Sequence, residues 1–222
     1  MSGREGRIVV VDYHEGNLRS VERALAEVGA SVVVSDEARD VDGAAGVVLP
    51  GVGAFEDAMG QLLASGQAQS IVAAIGRGVP FLGICLGMQL LFSRGSERRD
   101  GPSSWGGEWV PGLGVLEGSV IRLESKRLKV PHVGWDQAHL SELGRTCPLL
   151  ADVPEGANFY FTHSYALADD VDEGIVVTRT HYARSFASGV WSDNVFGLQF
   201  HPEKSSRAGR ALLANFVSVV RG

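Results

Sequence analysis

The chain has 222 residues, enough for one well-cored α/β domain and too few for two of ordinary size. Hydrophobic residues make up 45% and charged residues 21%, a globular composition that excludes a disordered chain. A formal charge of −6 argues against a nucleic-acid-binding surface, which needs a basic stripe; the clusters Arg94…Arg98-Arg99 and Lys126-Arg127…Lys129 read as solvated faces.

Charge at Arg4, Glu5 and Arg7 precedes an apolar stretch over 8–11 that stops at Asp12, too short for the core of a signal peptide. No run approaches the roughly 20 apolar residues of a membrane span. A cytoplasmic protein is expected. Residues 8–11 read as a buried strand, and 17–28 as a helix with Leu18, Val21, Leu25 and Val28 on one face and Gly29 past its end. Two strands follow, 31–35 and 46–49, then the turn Pro50-Gly51-Val52-Gly53 and helical patterning over 55–63 and 71–75. A strand over 79–84 leads into a helix expected from Leu86 to Phe92. Strands alternating with helices in this way predict a parallel sheet covered on both faces.

The pattern then dissolves into a long surface loop over 93–114, containing Trp105 and Trp109. Beyond it come short strand-like runs at 119–123, 130–135, 158–162, 175–179, 185–191 and 195–200, with Ser192-Asp193-Asn194 as a hairpin turn. A helix over 205–220, apolar at Ala208, Leu212, Phe216 and Val219, closes the chain. The fold class expected is α/β, a mostly parallel central sheet flanked by helices with an additional antiparallel β region in the C-terminal half. No repeat or linker divides it, so 1–222 reads as a single domain.

Within this order, Gly83-Ile-Cys85-Leu-Gly87 places a thiol at the sharp turn between a buried strand and a helix. Gly83 and Gly87 suit a turn where neighbouring backbone comes close and a Cβ would clash. A helix start behind the sulfur favours thiolate over thiol. A buried cysteine is also an ordinary small core residue, so the reading depends on a base elsewhere in the chain. His201-Pro202-Glu203 supplies one: the proline restricts His201 to extended backbone, so residues 201 and 203 project to one side. Glu203 can then hold one ring N–H while the other nitrogen of His201 faces Cys85. The tetrahedral oxyanion of acyl chemistry needs two donors, and the candidates are the N–H of Leu86 and the turn carrying Val52 and Gly53. The other cysteine, Cys147, pairs with Cys85 only as a weaker alternative, and there is no Cys/His spacing for zinc.

These segments resemble the class I, triad-type glutamine amidotransferases over nearly the whole chain, which implies their flavodoxin-like fold. The carriers are Asp12-Tyr13…Gly16-Asn17-Leu-Arg-Ser-Val21, Leu49-Pro-Gly-Val-Gly53, Gly83-Ile-Cys-Leu-Gly-Met-Gln89, Pro131-His-Val-Gly-Trp135, Phe161-Thr-His-Ser-Tyr165 and Gln199-Phe-His-Pro-Glu-Lys204. Gly-Asn-Leu-Arg-Ser-Val, Pro-His-x-Gly-Trp and Lys204 are similar to the glutaminase subunits of imidazole glycerol phosphate synthases in particular. The resemblance implies hydrolysis of L-glutamine through a thioester on Cys85, with no cofactor and no metal. It also implies a heterodimer with a (β/α)-barrel cyclase that uses the ammonia to make imidazole glycerol phosphate and aminoimidazole carboxamide ribotide in histidine biosynthesis.

By the same resemblance Gly53, Gln89, Glu97, Ser164 and Tyr165 line the glutamine pocket, with Glu97 paired to the substrate ammonium. Asn17, Trp135, Tyr160 and Lys204 face the cyclase. The plainer readings stand beside these: Glu97 as a solvated loop carboxylate, Trp135 and Tyr160 as core aromatics, Asn17 as a helix cap, His163 as a hydrogen-bonded strand residue. The chain departs from the pattern at His14-Glu15, at Asp136 where asparagine is common, and in the length of the 93–114 loop. Rival readings are a glutaminase subunit of the anthranilate synthase type, disfavoured by Met88 and Lys204, a general cysteine hydrolase, and a partner-stabilising subunit without activity, disfavoured by the intact Cys85, His201 and Glu203.

Overall fold

A computed structural model describes residues 6–14, 16–100, 102–103 and 105–222; Arg4, Glu5 and Glu15 fall outside these. The first strand, β1 (Arg7–Val11), is buried on both faces. Its alternation sorts the core: Val9 and Val11 join one apolar cluster with Phe55, Met59, Leu62 and Ile71, while Ile8 and Val10 join another with Val21, Leu25, Leu212 and Phe216. The helices supplying these residues therefore cover opposite faces. They are α1 (Leu18–Glu27) and α6 (Ser206–Arg221) on one side, α3 (Phe55–Ala64) and α4 (Gln67–Gly76) on the other.

The remaining parallel strands are β2 (Ser31–Ser35), β3 (Gly46–Gly51) and β4 (Phe81–Cys85), with a short helix, α2 (Ala38–Asp42), that the sequence reading did not contain. With only five residues and one buried side chain, Val41, α2 offers no periodicity to detect. Strand β3 runs through Gly51, so half of the expected 50–53 turn is strand.

After β4 comes the largest departure from expectation. The helix α5 spans only Leu86–Gln89, and Phe92–Gly95 is a strand, β5. The apolar run 86–92 is buried all round, and periodicity cannot divide such a run between helix and strand. The 93–114 segment likewise contains β5 and β6 (Val110–Pro111), which pair antiparallel. Together with β7 (Leu116–Arg122) and β10 (Tyr165–Leu167) they form a small sheet in the order β10-β7-β5-β6.

The second half supplies β8 (His132–Leu140), β9 (Ala157–His163), β11 (Val176–Tyr182), β12 (Arg184–Ser192) and β13 (Val195–Leu198). The main sheet runs β2-β1-β3-β4-β13-β12-β11-β8-β9. It is parallel from β2 to β13 and antiparallel from β13 onward. The antiparallel region is thus a continuation of the same sheet. The β12–β13 hairpin turns at Asp193-Asn194, with Asp193 at φ 50°, where the turn was expected. Strand β13 therefore lies directly beside β4, pairing Leu198 with Ile84. That adjacency carries His201 to the same sheet edge as Cys85.

Among the described residues no helix is long and apolar enough to cross a membrane.

Candidate active site

Cys85 ends β4 and starts α5 with φ 56° and ψ −110°, a left-handed backbone conformation that a non-glycine residue adopts only where its surroundings dictate it. The surroundings here are glycine. A Cβ at Gly83 would stand 2.6 Å from the Gly87 carbonyl oxygen, and one at Gly87 would overlap the Leu49 carbonyl oxygen on β3. A Cβ at Gly51 would meet the Tyr13 hydroxyl. The strand end and the first turn of α5 are thus pressed against β3 with no room for side chains, and the thiol is held at the crest, 6% exposed.

His201 follows β13 in extended backbone, φ −100°, and Pro202–Lys204 forms a single 3-10 turn. That turn brings Glu203 back beneath the ring, so His201 Nδ1 donates to Glu203 Oε1 at 2.9 Å with both side chains almost wholly buried. The backbone is pinned as well. The N–H of His201 donates to the Tyr160 carbonyl and the Ser205 hydroxyl donates to the carbonyl of His201. Burial alone would lower the pKa of His201, but the negative charge and hydrogen bonding of Cys85, followed by those of Glu203, outweigh it and raise the pKa to about 10. The surroundings thus favour the imidazolium form of His201. Among the described residues its Nε2 has no other hydrogen-bond partner, which leaves that nitrogen for chemistry.

A cavity of about 280 Å³ opens over the sulfur, lined by Val52, Gly53, Cys85, Leu86, Gln89, Glu97, Pro131, Thr162, His163, Ser164 and Tyr165. It therefore brings together every expected oxyanion and substrate residue. Gly53 has φ 96°, so the β3–α3 connection turns tightly at the cavity rim. Ser164 and Tyr165 arrive from the β9–β10 junction, with the Ser164 carbonyl held by the Leu123 N–H. Glu97 arrives from the loop after β5, where the Phe55 N–H, at the start of α3, donates to its Oε2 at 3.2 Å. The next two residues anchor that loop to the buried Glu56: Arg98 pairs with its carboxylate and the Arg99 N–H donates to it at 3.2 Å. Glu97 is therefore a fixed group rather than a solvated loop carboxylate. Burial raises its pKa to about 7, against the lowering effect of the Phe55 hydrogen bond. A cation entering the cavity would offset that cost of ionisation.

Gln89 lies under the cavity floor with its amide orientation settled by partners. Its Nε2 donates to the Tyr165 carbonyl at 2.8 Å and to Gln199 Oε1 at 2.9 Å, so it offers an incoming molecule only Oε1. Gln199, whose Nε2 reaches Cys85 Sγ at 3.6 Å, was not among the sequence candidates. Neither was Thr162, whose carbonyl oxygen lies 3.9 Å from Sγ. Neither type carries chemistry by itself, so only the fold reveals them.

His163, assigned to structure from sequence, lines the cavity yet behaves as such. Its Nδ1 donates to the Tyr165 carbonyl at 2.8 Å, which makes Nε2 the acceptor from His132 Nδ1 at 3.1 Å. Burial lowers its pKa to about 3, so it stays neutral. Asp136 Oδ2 stands 3.4 Å from the far nitrogen of His132.

The four expected partner-facing residues gather away from the cavity. Trp135 and Tyr160 pair across β8–β9, their rings 6.2 Å apart and edge-on, with Lys204 Nζ 5.6 Å from the Tyr160 ring. Trp135 is 53% exposed and Val133, two residues earlier on the same face, 57%. Trp135 is thus no core aromatic. Asn17 precedes α1 but makes no side-chain cap, and α1 packs against the 202–204 turn that carries Lys204. No group of three or more His, Cys, Asp or Glu side chains among the described residues could hold a metal ion.

The family model described as glutamine amidotransferase class-I matches residues 9–220. The chain is 45% identical over 214 residues to the imidazole glycerol phosphate synthase subunit HisH of Moorella thermoacetica, covering 96% of this chain and 95% of that one. It is 46% identical to the subunit of the same name from Symbiobacterium thermophilum, covering 96% and 94%. Among solved structures, PurLQS from Thermotoga maritima superposes with a TM-score of 0.72 at 21% identity, covering 96% of this chain and 98% of that one, a likeness of fold.

Proposed function

The chain belongs to the class I glutamine amidotransferases, as a glutaminase subunit of imidazole glycerol phosphate synthase in histidine biosynthesis, and on that premise we propose how its residues divide the work. Cys85 is the nucleophile, His201 the acid and base, and Glu203 the group that orients and charges the imidazole. One observation carries this reading: a cysteine in left-handed backbone lines the cavity, and His201, held at 2.9 Å by the buried Glu203, is close enough to its sulfur to hydrogen-bond it.

The thiolate attacks the side-chain carboxamide carbon of glutamine. The oxyanion of the tetrahedral intermediate is met by the backbone N–H of Leu86 and by the Val52-Gly53 turn. Imidazolium at His201 passes its proton to the departing nitrogen, ammonia leaves, and a thioester remains on Cys85. His201, now neutral, takes a proton from water as the hydroxyl adds to the thioester. Collapse of that second intermediate releases glutamate and restores the ion pair.

Glu97 pairs with the substrate's α-ammonium, Gln89 Oε1 accepts from the substrate, and Gly53, Ser164 and Tyr165 bound it. A cavity of about 280 Å³ is small by the standard of ligand pockets, roughly 300–1,000 Å³, which suits one amino acid better than a peptide. The whole chain acts as one domain. Asn17, Trp135, Tyr160 and Lys204 meet a (β/α)-barrel cyclase, which receives the ammonia unreleased. The support is the exposed apolar pair Val133 and Trp135 beside a lysine–tyrosine contact, a tryptophan-centred patch of the kind protein interfaces use.

The cyclase and its nucleotide ligand complete the oxyanion hole. Glutamate release by the full chain is expected to be slow alone and to rise greatly with the cyclase and its nucleotide; equal, rapid turnover in every condition rejects the gating, and none in any condition rejects the enzyme. Cys85→Ala is expected to abolish glutamate release while leaving cyclase turnover on added ammonia.

A further inference from the structure

Gln199 lies beside the sulfur but outside the cavity lining, fully buried, with a carboxamide that has no freedom to flip. The reason is a sequence of donors and acceptors that begins at a backbone carbonyl. Tyr165 O can only accept, so the amide group facing it at 2.8 Å must be Gln89 Nε2. The second hydrogen of that nitrogen points at Gln199, 2.9 Å away, so the atom facing it must be Oε1. Gln199 Nε2 is thereby turned toward Cys85 Sγ, at 3.6 Å, within range for a hydrogen bond to sulfur. A donor fixed in this way is indifferent to neither form of the nucleophile. It stabilises a thiolate, with full negative charge on sulfur, far more than a thiol, which is a weak acceptor.

From this geometry we infer that Gln199 is a catalytic residue beyond the triad, an N–H donor to the Cys85 sulfur, and that Gln89 is the positioning residue that keeps it so. The inference rests on Cys85 being the nucleophile proposed above. The sulfur is anionic at two points of the reaction, before it attacks the carboxamide and again as it leaves the second tetrahedral intermediate, and Gln199 faces it in both. His201 and Gln199 approach the sulfur as separate donors, one charged and mobile in its proton, the other neutral and permanent. Gln89 thus has two edges, Oε1 toward substrate and Nε2 toward the nucleophile's support, so substrate binding and thiolate stability share one side chain.

The test is alkylation of Cys85 by iodoacetamide across pH, in the full chain without glutamine, with the modified peptide identified by mass spectrometry. Cys147 provides the internal reference, since burial pushes its pKa up to about 11. In Gln199→Met, of similar size, alkylation of Cys85 at neutral pH is expected to slow about tenfold, with the pH midpoint displaced upward by about one unit. Gln199→Glu, which sets a carboxylate beside the sulfur, is expected to move it further. A merely structural Gln199 predicts a midpoint unchanged from the wild type in a folded variant, and that result overturns the inference. Should Gln199→Met fail to fold, Gln89→Leu frees the Gln199 carboxamide without altering it; an upward displacement of the pH midpoint supports the inference and no displacement overturns it. A wild-type Cys85 no more reactive than Cys147 in the unfolded chain instead removes the nucleophile reading itself.

Discussion

The centre of the main sheet and its β8–β9 edge are built on opposite terms. At the centre, β3, β4 and the start of α5 approach until the side-chain space at Gly51, Gly83 and Gly87 is gone, and Cys85 is forced into positive φ by neighbours that cannot move. At the edge, Val133 and Trp135 stand more than half exposed, and the fold gains little from either. The chemistry demands positions fixed to a fraction of an ångström, and only close packing supplies that. Recognition demands an uncovered surface that a partner will bury. Substitutions should therefore damage structure at the centre and association at the edge.

Gly87→Ala presses hardest on this contrast. Its Cβ would overlap the Leu49 carbonyl, a backbone atom within β3 that cannot rotate aside. Loss of most folded protein is expected, or, in whatever folds, a fall in glutaminase turnover of at least about a hundredfold through displacement of the nucleophile. Gly76→Ala, at the end of α4 with open space around its Cβ position, should leave the thermal midpoint nearly unchanged. Equal midpoints and turnover for the two variants would erase the distinction between crowded and open glycines.

Trp135→Ala asks the converse question at the edge. Truncating an exposed interface tryptophan is expected to cost about 2 kcal/mol of association with the cyclase, roughly thirtyfold in Kd by titration calorimetry. The thermal midpoint of the free subunit should shift by an amount equivalent to no more than about 0.5 kcal/mol. A large loss of stability with unchanged affinity would make Trp135 a fold residue and move the docking face elsewhere.

The sequence was most readable where one residue type has one use. Glycines two places either side of a cysteine after an apolar strand, and a proline between histidine and glutamate, each allow few backbone arrangements, and the structure adopts those arrangements. It was least readable where apolar residues are buried on every side: from Leu86 to Phe92 no polar residue but Gln89 marks a face, so a helix of four residues followed by a strand looked like one longer helix. Gln199 stayed hidden because the same strand pattern accommodates it as an ordinary alternation, and its role depends on the β4–β13 pairing and on Gln89, 110 positions earlier. Local chemistry can be read along the chain, whereas a hydrogen bond between distant strands belongs to the topology.

Glu97 lies between the two regimes, on a loop yet fixed, and its titration gives the most diagnostic effect. Its folded pKa of about 7 lies above the ordinary 4.5, so the folded state binds its proton more tightly than the unfolded state does. The stability associated with that proton is fully present below pH 4.5 and is lost as pH rises through 7. Partial exposure to water reduces the full conversion of the shift, leaving about 1–3 kcal/mol. Glu97→Gln, which keeps an acceptor for the Phe55 N–H but never ionises, should therefore raise the thermal midpoint at pH 8 and match the wild type at pH 4. The same substitution should raise KM for glutamine more than it lowers kcat, and wild-type KM should itself rise as pH falls below 7, where the carboxylate that meets the ammonium is protonated. A variant destabilised at pH 8 would mean that Glu97 is held by partners that stabilise its charge, and that its poor solvation is not being kept in reserve for the substrate's cation.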